Sequence, residues 1–245
     1  MADGAIIIYG RGDSLGNFKV FADHLKTDLA SNYQANVSLK HIETKKEFFD
    51  FLKTPNVGFT IAEVHIMSHA FGAGLALGYG GSAGGNSRKA AVTLAKQQNR
   101  EVTKVEVLDA EVGIGFVEDL SRTPYSSDAA TIQANLKAGA TVKIWGCNAG
   151  VADWTYDDDD IDGDGADDVY WTKLNTATKP SIAKALATYF QRTVIAAKSG
   201  SHIEVLDGQT WITSDAYKAK YGNWPPASVK HRLVPDQGGF VNFTP

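Results

Sequence analysis

The chain has 245 residues, 43% of them hydrophobic, and a formal charge of −4; it is long enough for one large α/β domain with a sizeable core and too apolar for a disordered chain. The acidic balance gives no electrostatic footprint for nucleic acid or an anionic membrane. The single cysteine, Cys147, rules out an internal disulfide framework and a multi-cysteine zinc site. No run approaches 18 apolar residues, and no basic region followed by a long apolar stretch marks a Sec signal. The expected product is one domain spanning 1–245, soluble and made in the cytoplasm, with secretion through a dedicated export system left open.

In chain order, Ala5–Tyr9 is a continuous apolar, β-branched run ended by Gly10-Arg11-Gly12, the pattern of a buried central strand. Phe18, Ala22, Leu25 and Leu29 then recur at helical spacing between Asp13 and Tyr33. Val37–Ile42 alternates as a strand, and Thr44 caps a short helix through Phe48, Phe49 and Leu52 that Pro55 ends. Ile61–Met67 is the third strand. Strand, helix, strand, helix, strand at this spacing predicts a parallel sheet with crossover helices.

Gly72–Gly81 reads as a small hairpin, Gly80–Gly85 as a mobile glycine-rich loop, and Glu101–Phe116 as one or two strands at the sheet edge. A short helix is expected from Asp128 to Gly139, a fourth buried strand over Val142–Trp145, and an acidic loop from Asp157 to Asp168. A helix with Ile182, Leu186 and Phe190 follows, then a fifth strand over Val194–Ala197. His202–Leu206 and Gln209–Ile212 form a hairpin before the tail Gly238-Gly239-Phe240.

Two apolar runs end in small residues and each delivers one reactive side chain, His69 after Val64–Met67 and Cys147 after Val142–Trp145. In adjacent parallel strands an imidazole and a thiol emerge at one sheet edge, where open α/β sheets bind ligands. A thiolate nucleophile needs such a base, which later protonates the leaving amine. The spacing alone equally allows a buried cysteine at a strand end and a histidine satisfied by a loop carbonyl.

The blocks Ile66-Met67-Ser68-His69 before Gly74-Leu75-Ala76-Leu77-Gly78, and Leu136–Ala140 before Ile144-Trp145-Gly146-Cys147-Asn148, resemble the two signature blocks of the caspase-like cysteine peptidases (caspases, gingipains, clostripain, separase). They are closest to the bacterial branch with Ser-His-Gly and Tyr-Gly-Cys-Asn blocks. Ala183–Ala187 into Val194–Ala197 and the Gly-Gly-aromatic ending match that branch as well. The resemblance spans Ala5 to about Val205 and is specific at the two blocks.

It implies an α/β fold, a caspase-like three-layer sandwich with a mostly parallel central sheet, helices on both faces and small β-hairpin insertions. It also implies a His–Cys dyad that hydrolyses peptide bonds through a thioacyl-enzyme, with His69 as acid/base and Cys147 as nucleophile, acting on a protein or peptide substrate without an organic cofactor. The backbone N–H groups of Ala70 and Cys147 would be the oxyanion donors. Ala70 stands where the family usually has glycine; if that position needs a positive φ, alanine strains it.

His65 and His69 lie about 13 Å apart in an extended strand, too far to share a zinc, so His65 reads as a core or interface residue. Asp160, Asp162, Asp164 and Asp168, with Gly165 and the carbonyl of Ala166, match positions 1, 3, 5, 9, 6 and 7 of an EF-hand-type Ca²⁺ loop; Trp171 replaces the bidentate Glu at the twelfth. Ca²⁺ is therefore expected in a loop that can order one wall of the site. Substrate choice is left open: Arg11, after the first strand, favours an acidic residue before the scissile bond, whereas Asp153, after the cysteine, favours Lys or Arg. A secreted bacterial effector or toxin is the expected setting. The other readings are a catalytically degenerate binding module of the same fold and a cysteine hydrolase of cell-wall peptide amides.

Overall fold

The computed structural model describes residues 1–12, 18–78, 82–154 and 179–245, with residues 82–86 as backbone only. β1 (Asp3–Tyr9) runs parallel to both β2 (Val37–His41) and β3 (Thr60–Met67). Ala5, Ile6, Ile7 and Ile8 are fully buried; a strand covered on both faces has no reason to alternate, which explains the unbroken apolar run. Helix α1 (Phe18–Tyr33) lies between β1 and β2 in the chain. Helix α2 (Lys45–Lys53) starts at a capping box in which Thr44 accepts from the Glu47 N–H and the Glu47 carboxylate accepts from the Thr44 N–H.

Past β3 the chain turns into a hairpin of β4 (His69–Phe71) and β5 (Gly74–Ala76), continues through α3 (Ser82–Gln97) and α4 (Lys104–Ala110), and returns with β6 (Ile114–Phe116) to pair antiparallel with β5. Helix α5 (Tyr125–Asn135) leads into β7 (Leu136–Ile144), which pairs parallel with β3. Helix α6 (Ile182–Phe190) precedes β8 (Thr193–Ala197), parallel to β7. β9 (Ser201–Asp207), β10 (Thr210–Thr213) and, after α7 (Ser214–Tyr221), β11 (His231–Pro235) form a separate antiparallel sheet in the order β10-β9-β11. β12 (Phe240–Phe243) closes the central sheet antiparallel to β8.

The six-stranded central sheet thus runs β2-β1-β3-β7-β8-β12, parallel except at β12. Helices cover both faces. Ile6, Ile8, Val64, Ile66, Val142 and Ile144 pack against Phe48, Phe49 and Leu52 of α2, Ile132 of α5 and Leu186 and Phe190 of α6. On the opposite face Ala5, Ile7 and Met67 meet Phe18, Phe21, Ala22 and Leu29 of α1, with Trp145, Ile203 and Leu233 at the margin. No helix of the described residues is long and apolar enough to cross a membrane.

Three expectations are corrected. The span 101–116 is not strand throughout: Lys104–Ala110 is helical, begun by a second capping box between Thr103 and Glu106, and only Ile114–Phe116 is strand. Residues 82–85 of the glycine-rich tract belong to α3 rather than to a loop. The helix placed at Asp128–Gly139 runs from Tyr125 to Asn135, and Gly139 lies inside β7. There the register to β3 jumps from Ile61↔Leu136 to Glu63↔Thr141, and Gly139 takes φ +79°, the conformation an irregular strand asks of glycine.

Candidate active site

β3 and β7 pair directly, Val64 with Val142 and Ile66 with Ile144, and the Trp145 N–H reaches the Ile66 carbonyl at 2.9 Å, carrying the pairing past the last strand residue. His69 and Cys147 leave these neighbours at the same, carboxyl, edge. Contact continues beyond the strands at Gly146: a Cβ built there would stand 2.5 Å from the Ala70 Cβ and the Ser68 carbonyl oxygen and 3.1 Å from the Ala70 amide nitrogen. Only a residue without a side chain lets the two turns approach this closely.

After Cys147 the chain reverses at Asn148 (φ +56°), a conformation asparagine tolerates. The turn is fixed by Asn148 N–H to Ser199 O (2.7 Å) and Gly150 N–H to Ala197 O (2.8 Å). Cys147 is half-buried, its Sγ 3.9 Å from the Ser201 carbonyl oxygen. The Phe18 and His69 rings meet in a T-shaped contact, with centroids 5.1 Å apart and planes at 72°.

His69 and Cys147 line one pocket of about 130 Å³ together with Phe18, Phe21, Ser68, Trp145, Gly146, Ser201, Ile203 and Leu233. Its walls come from α1, the ends of β3 and β7, and β9 and β11. Ser68 is fully buried, and its hydroxyl has no hydrogen-bond partner among the described residues.

A polar chain lies under this pocket on the α1 face of the sheet. Tyr33 O–H donates to Glu63 Oε1 (2.7 Å), His65 Nε2 is 2.9 Å from Glu63 Oε2, and the Trp145 indole N–H is 3.2 Å from His65 Nδ1. An indole nitrogen can only donate. His65 Nδ1 is therefore the acceptor, and the ring proton sits on Nε2, pointing at Glu63. The hydrogen bond from His65 holds the Glu63 carboxyl below its usual range, against the opposing effect of burial, with the Tyr33 bond adding to it. Burial raises the Tyr33 phenol to about 12. Lys143 Nζ stands 3.7 Å from the Trp145 ring centroid and 4.0 Å from that of Phe240. Burial pulls its pKa down to about 8, and the attraction of Glu63 only partly offsets this.

The other expected residues fall elsewhere. Ala70 lies in extended backbone within β4 and is not among the positive-φ residues, so the strain anticipated for alanine does not arise. Arg11 is exposed and engages Leu77 O through its backbone N–H (2.7 Å). Asp153 is also exposed; its N–H donates to Lys179 O (3.0 Å) and its Oδ1 accepts from the Lys179 N–H (3.3 Å). Neither lines the pocket of His69 and Cys147. The Ca²⁺ motif, Asp160, Asp162, Asp164, Ala166 and Asp168, lies outside the described residues. Among the described residues no group of three or more His, Cys, Asp or Glu is placed to hold a metal.

Phe18, Phe21, Ile203 and Leu233 carry no local signal of a pocket in the sequence, and neither does the link from His65 to Trp145. Comparison with family models, with curated proteins and with solved structures finds no match to this chain.

Proposed function

We propose that this protein is a cysteine endopeptidase in which Cys147 is the nucleophile and His69 the general acid/base. The observation that carries the reading is the shared pocket: the one thiol of the chain and a histidine just past the end of the neighbouring parallel strand line the same cavity at the carboxyl edge of the sheet. The resemblance of the two sequence blocks to caspase-like peptidases, with the family's three-layer architecture, belongs to the same proposal.

In the reaction, His69 takes the Cys147 thiol proton as sulfur attacks the peptide carbonyl carbon. The oxyanion is met by the N–H groups of Ala70 and Cys147. Collapse breaks the C–N bond, His69 protonates the leaving amine, and a thioacyl-enzyme remains. Water then adds to the thioester carbonyl with its proton passing to His69; collapse releases the carboxylic acid and returns the proton to sulfur. The closeness of the Ala70 amide nitrogen to the Gly146 turn supports its role as donor.

Ca²⁺ in the Asp160–Asp168 loop is part of the proposal, supported by the donor spacing. Its influence would travel through the neck of that segment. Trp154 Nε1–H donates to Pro180 O (3.1 Å), and a Cβ at Gly72, in the His69 hairpin, would come within 2.7 Å of the Trp154 ring. The test is a peptide-library digest with wild type and Cys147→Ala, with and without Ca²⁺, read by mass spectrometry. Cleavage lost in Cys147→Ala supports the reading. A Cys147 that reacts with iodoacetamide no faster than free cysteine, with no cleavage, points instead to a binding module; equal cleavage and melting temperature in EDTA removes the calcium.

A further inference from the structure

The pocket at Cys147 differs in character from what either Arg11 or Asp153 would serve. Its described lining holds no Asp, Glu, Lys or Arg. Phe18 and Phe21 are buried and enter from the first turn of α1; Trp145 comes from the end of β7, Ile203 from β9 and Leu233 from β11. These five side chains form an apolar cup that Cys147 and Gly146 also line. Its polar atoms are few, chiefly the Ser68 hydroxyl, the His69 ring and the Ser201 carbonyl that faces Sγ.

We infer that this cup receives an aromatic or branched aliphatic side chain of the substrate, from the residue adjoining the scissile carbonyl. The inference rests on the peptidase reading and names its substrate class. Size sets one bound: at about 130 Å³ the cup is close to the roughly 150 Å³ apolar cavity that holds a benzene molecule. A single six-membered ring or a leucine-sized chain fits, and an indole overfills it. Polarity sets the other bound. A carboxylate or guanidinium placed among Phe18, Phe21, Ile203 and Leu233 would lose its hydration without gaining an ionic partner among the described lining residues.

The wall is also held rigid. Trp145 is fixed by its N–H to His65 Nδ1, by Lys143 on its face and by Phe240 edge-on at 5.4 Å. Held in this way, the cup is preformed rather than assembled around the ligand, which favours discrimination by shape. Phe21, Ser201 and Ile203 also line a larger cleft of about 460 Å³ between α1, β9 and α7. That cleft opens from the cup and can take the adjoining substrate residues.

Two assays test the inference on the full chain. In the first, matched peptides differing at one residue are digested in Ca²⁺, the scissile bond being located by mass spectrometry. Leu, Phe or Tyr beside the scissile carbonyl should give kcat/KM at least roughly tenfold above Asp or Arg, since one methylene in such a pocket is worth about 10–200-fold. In Ile203→Ala the optimum should move toward larger aromatic side chains. A preference for Asp, Lys or Arg overturns the cup while leaving the peptidase intact.

The second assay needs no turnover: the rate at which iodoacetamide alkylates Cys147 is measured with N-acetyl-leucinamide, -phenylalaninamide, -aspartamide or -argininamide present. Protection by the apolar amides alone supports the cup. Equal protection by the charged amides, or none by the apolar ones, overturns it, whether or not any peptide is cleaved. No cleavage of any peptide in the first assay, with apolar protection retained in the second, overturns the peptidase and keeps the cup as a binding site.

Discussion

Where β3 and β7 run side by side, the two faces of the central sheet differ in chemistry. Toward α2, α5 and α6, β3 and β7 present Val64, Ile66, Ala140, Val142 and Ile144, all buried and all aliphatic. Toward α1 the alternate positions present Glu63, His65, Lys143 and Trp145, joined by hydrogen bonds and a cation–π contact. Because successive strand residues point to opposite faces, two neighbouring strands build the aliphatic core on one side and line the candidate site on the other. A buried polar chain is costly unless its members are paired. Here Tyr33, Glu63, His65 and Trp145 satisfy one another, and the chain ends on a wall of the pocket.

This division can be broken experimentally. The largest effect is expected on the pocket side: Cys147→Ala or His69→Ala should lower kcat/KM by roughly 10⁴-fold or more with little change in melting temperature, read by fluorogenic peptide kinetics beside calorimetry. If instead both variants unfold, the two residues are packing. Next in size is the aliphatic side, where Ile66→Ala should cost about 2–5 kcal/mol in urea denaturation while the folded fraction keeps its kcat. Equal loss of kcat would show that the two faces are not separable.

Within the polar chain, His65→Leu should weaken binding about tenfold through KM and shift the Trp145 indole N–H resonance upfield; that magnitude is of the order of one lost hydrogen bond. His65→Gln, which can still accept from the indole and donate to Glu63, should restore most of both. Failure of Gln to rescue would make the histidine a matter of shape.

A further effect is a pH dependence. Lys143 has its pKa lowered from 10.5 to about 8 in the fold, so between those values the unfolded chain binds a proton that the folded protein does not. Stability from this group therefore rises with pH across about 8 to 10.5. Lys143→Met should flatten that slope in denaturation curves at graded pH; an unchanged slope would mean that Lys143 is solvated in solution.

Legibility followed the range of the interaction. The strands β1, β3 and β8 announce themselves as short apolar runs, and the pairing of β3 with β7 follows from two such runs ending in small residues. The caps carry local signals: Thr103-Lys104-Val105-Glu106 is a capping box, although the valines at 105 and 107 imitate strand alternation over a span that is helical. Gly139 reads as a helix stop because a positive φ at a strand irregularity leaves the same residue type in the sequence. The cup was not legible. Phe18 and Leu233 lie more than two hundred residues apart in sequence, and only the packing of α1 against β11 makes them neighbours of Cys147. His65 likewise looks like any core histidine until Trp145 is placed beside it.

The contact of Phe240 with Lys143 and Trp145 has a consequence in time. β12 lies farther along the chain than every other element touching the pocket wall, and it docks beside β8, not beside a sequence neighbour. During synthesis from the N-terminus, β7 and β3 can pair well before residues 240–243 have left the ribosome. Until they do, Lys143 and Trp145 lack their aromatic neighbour, and the Val194–Ala197 edge stays open to strand addition. The wall beside Cys147 thus matures only once residues 240–243 have emerged, later than the β3–β7 pairing on which it stands.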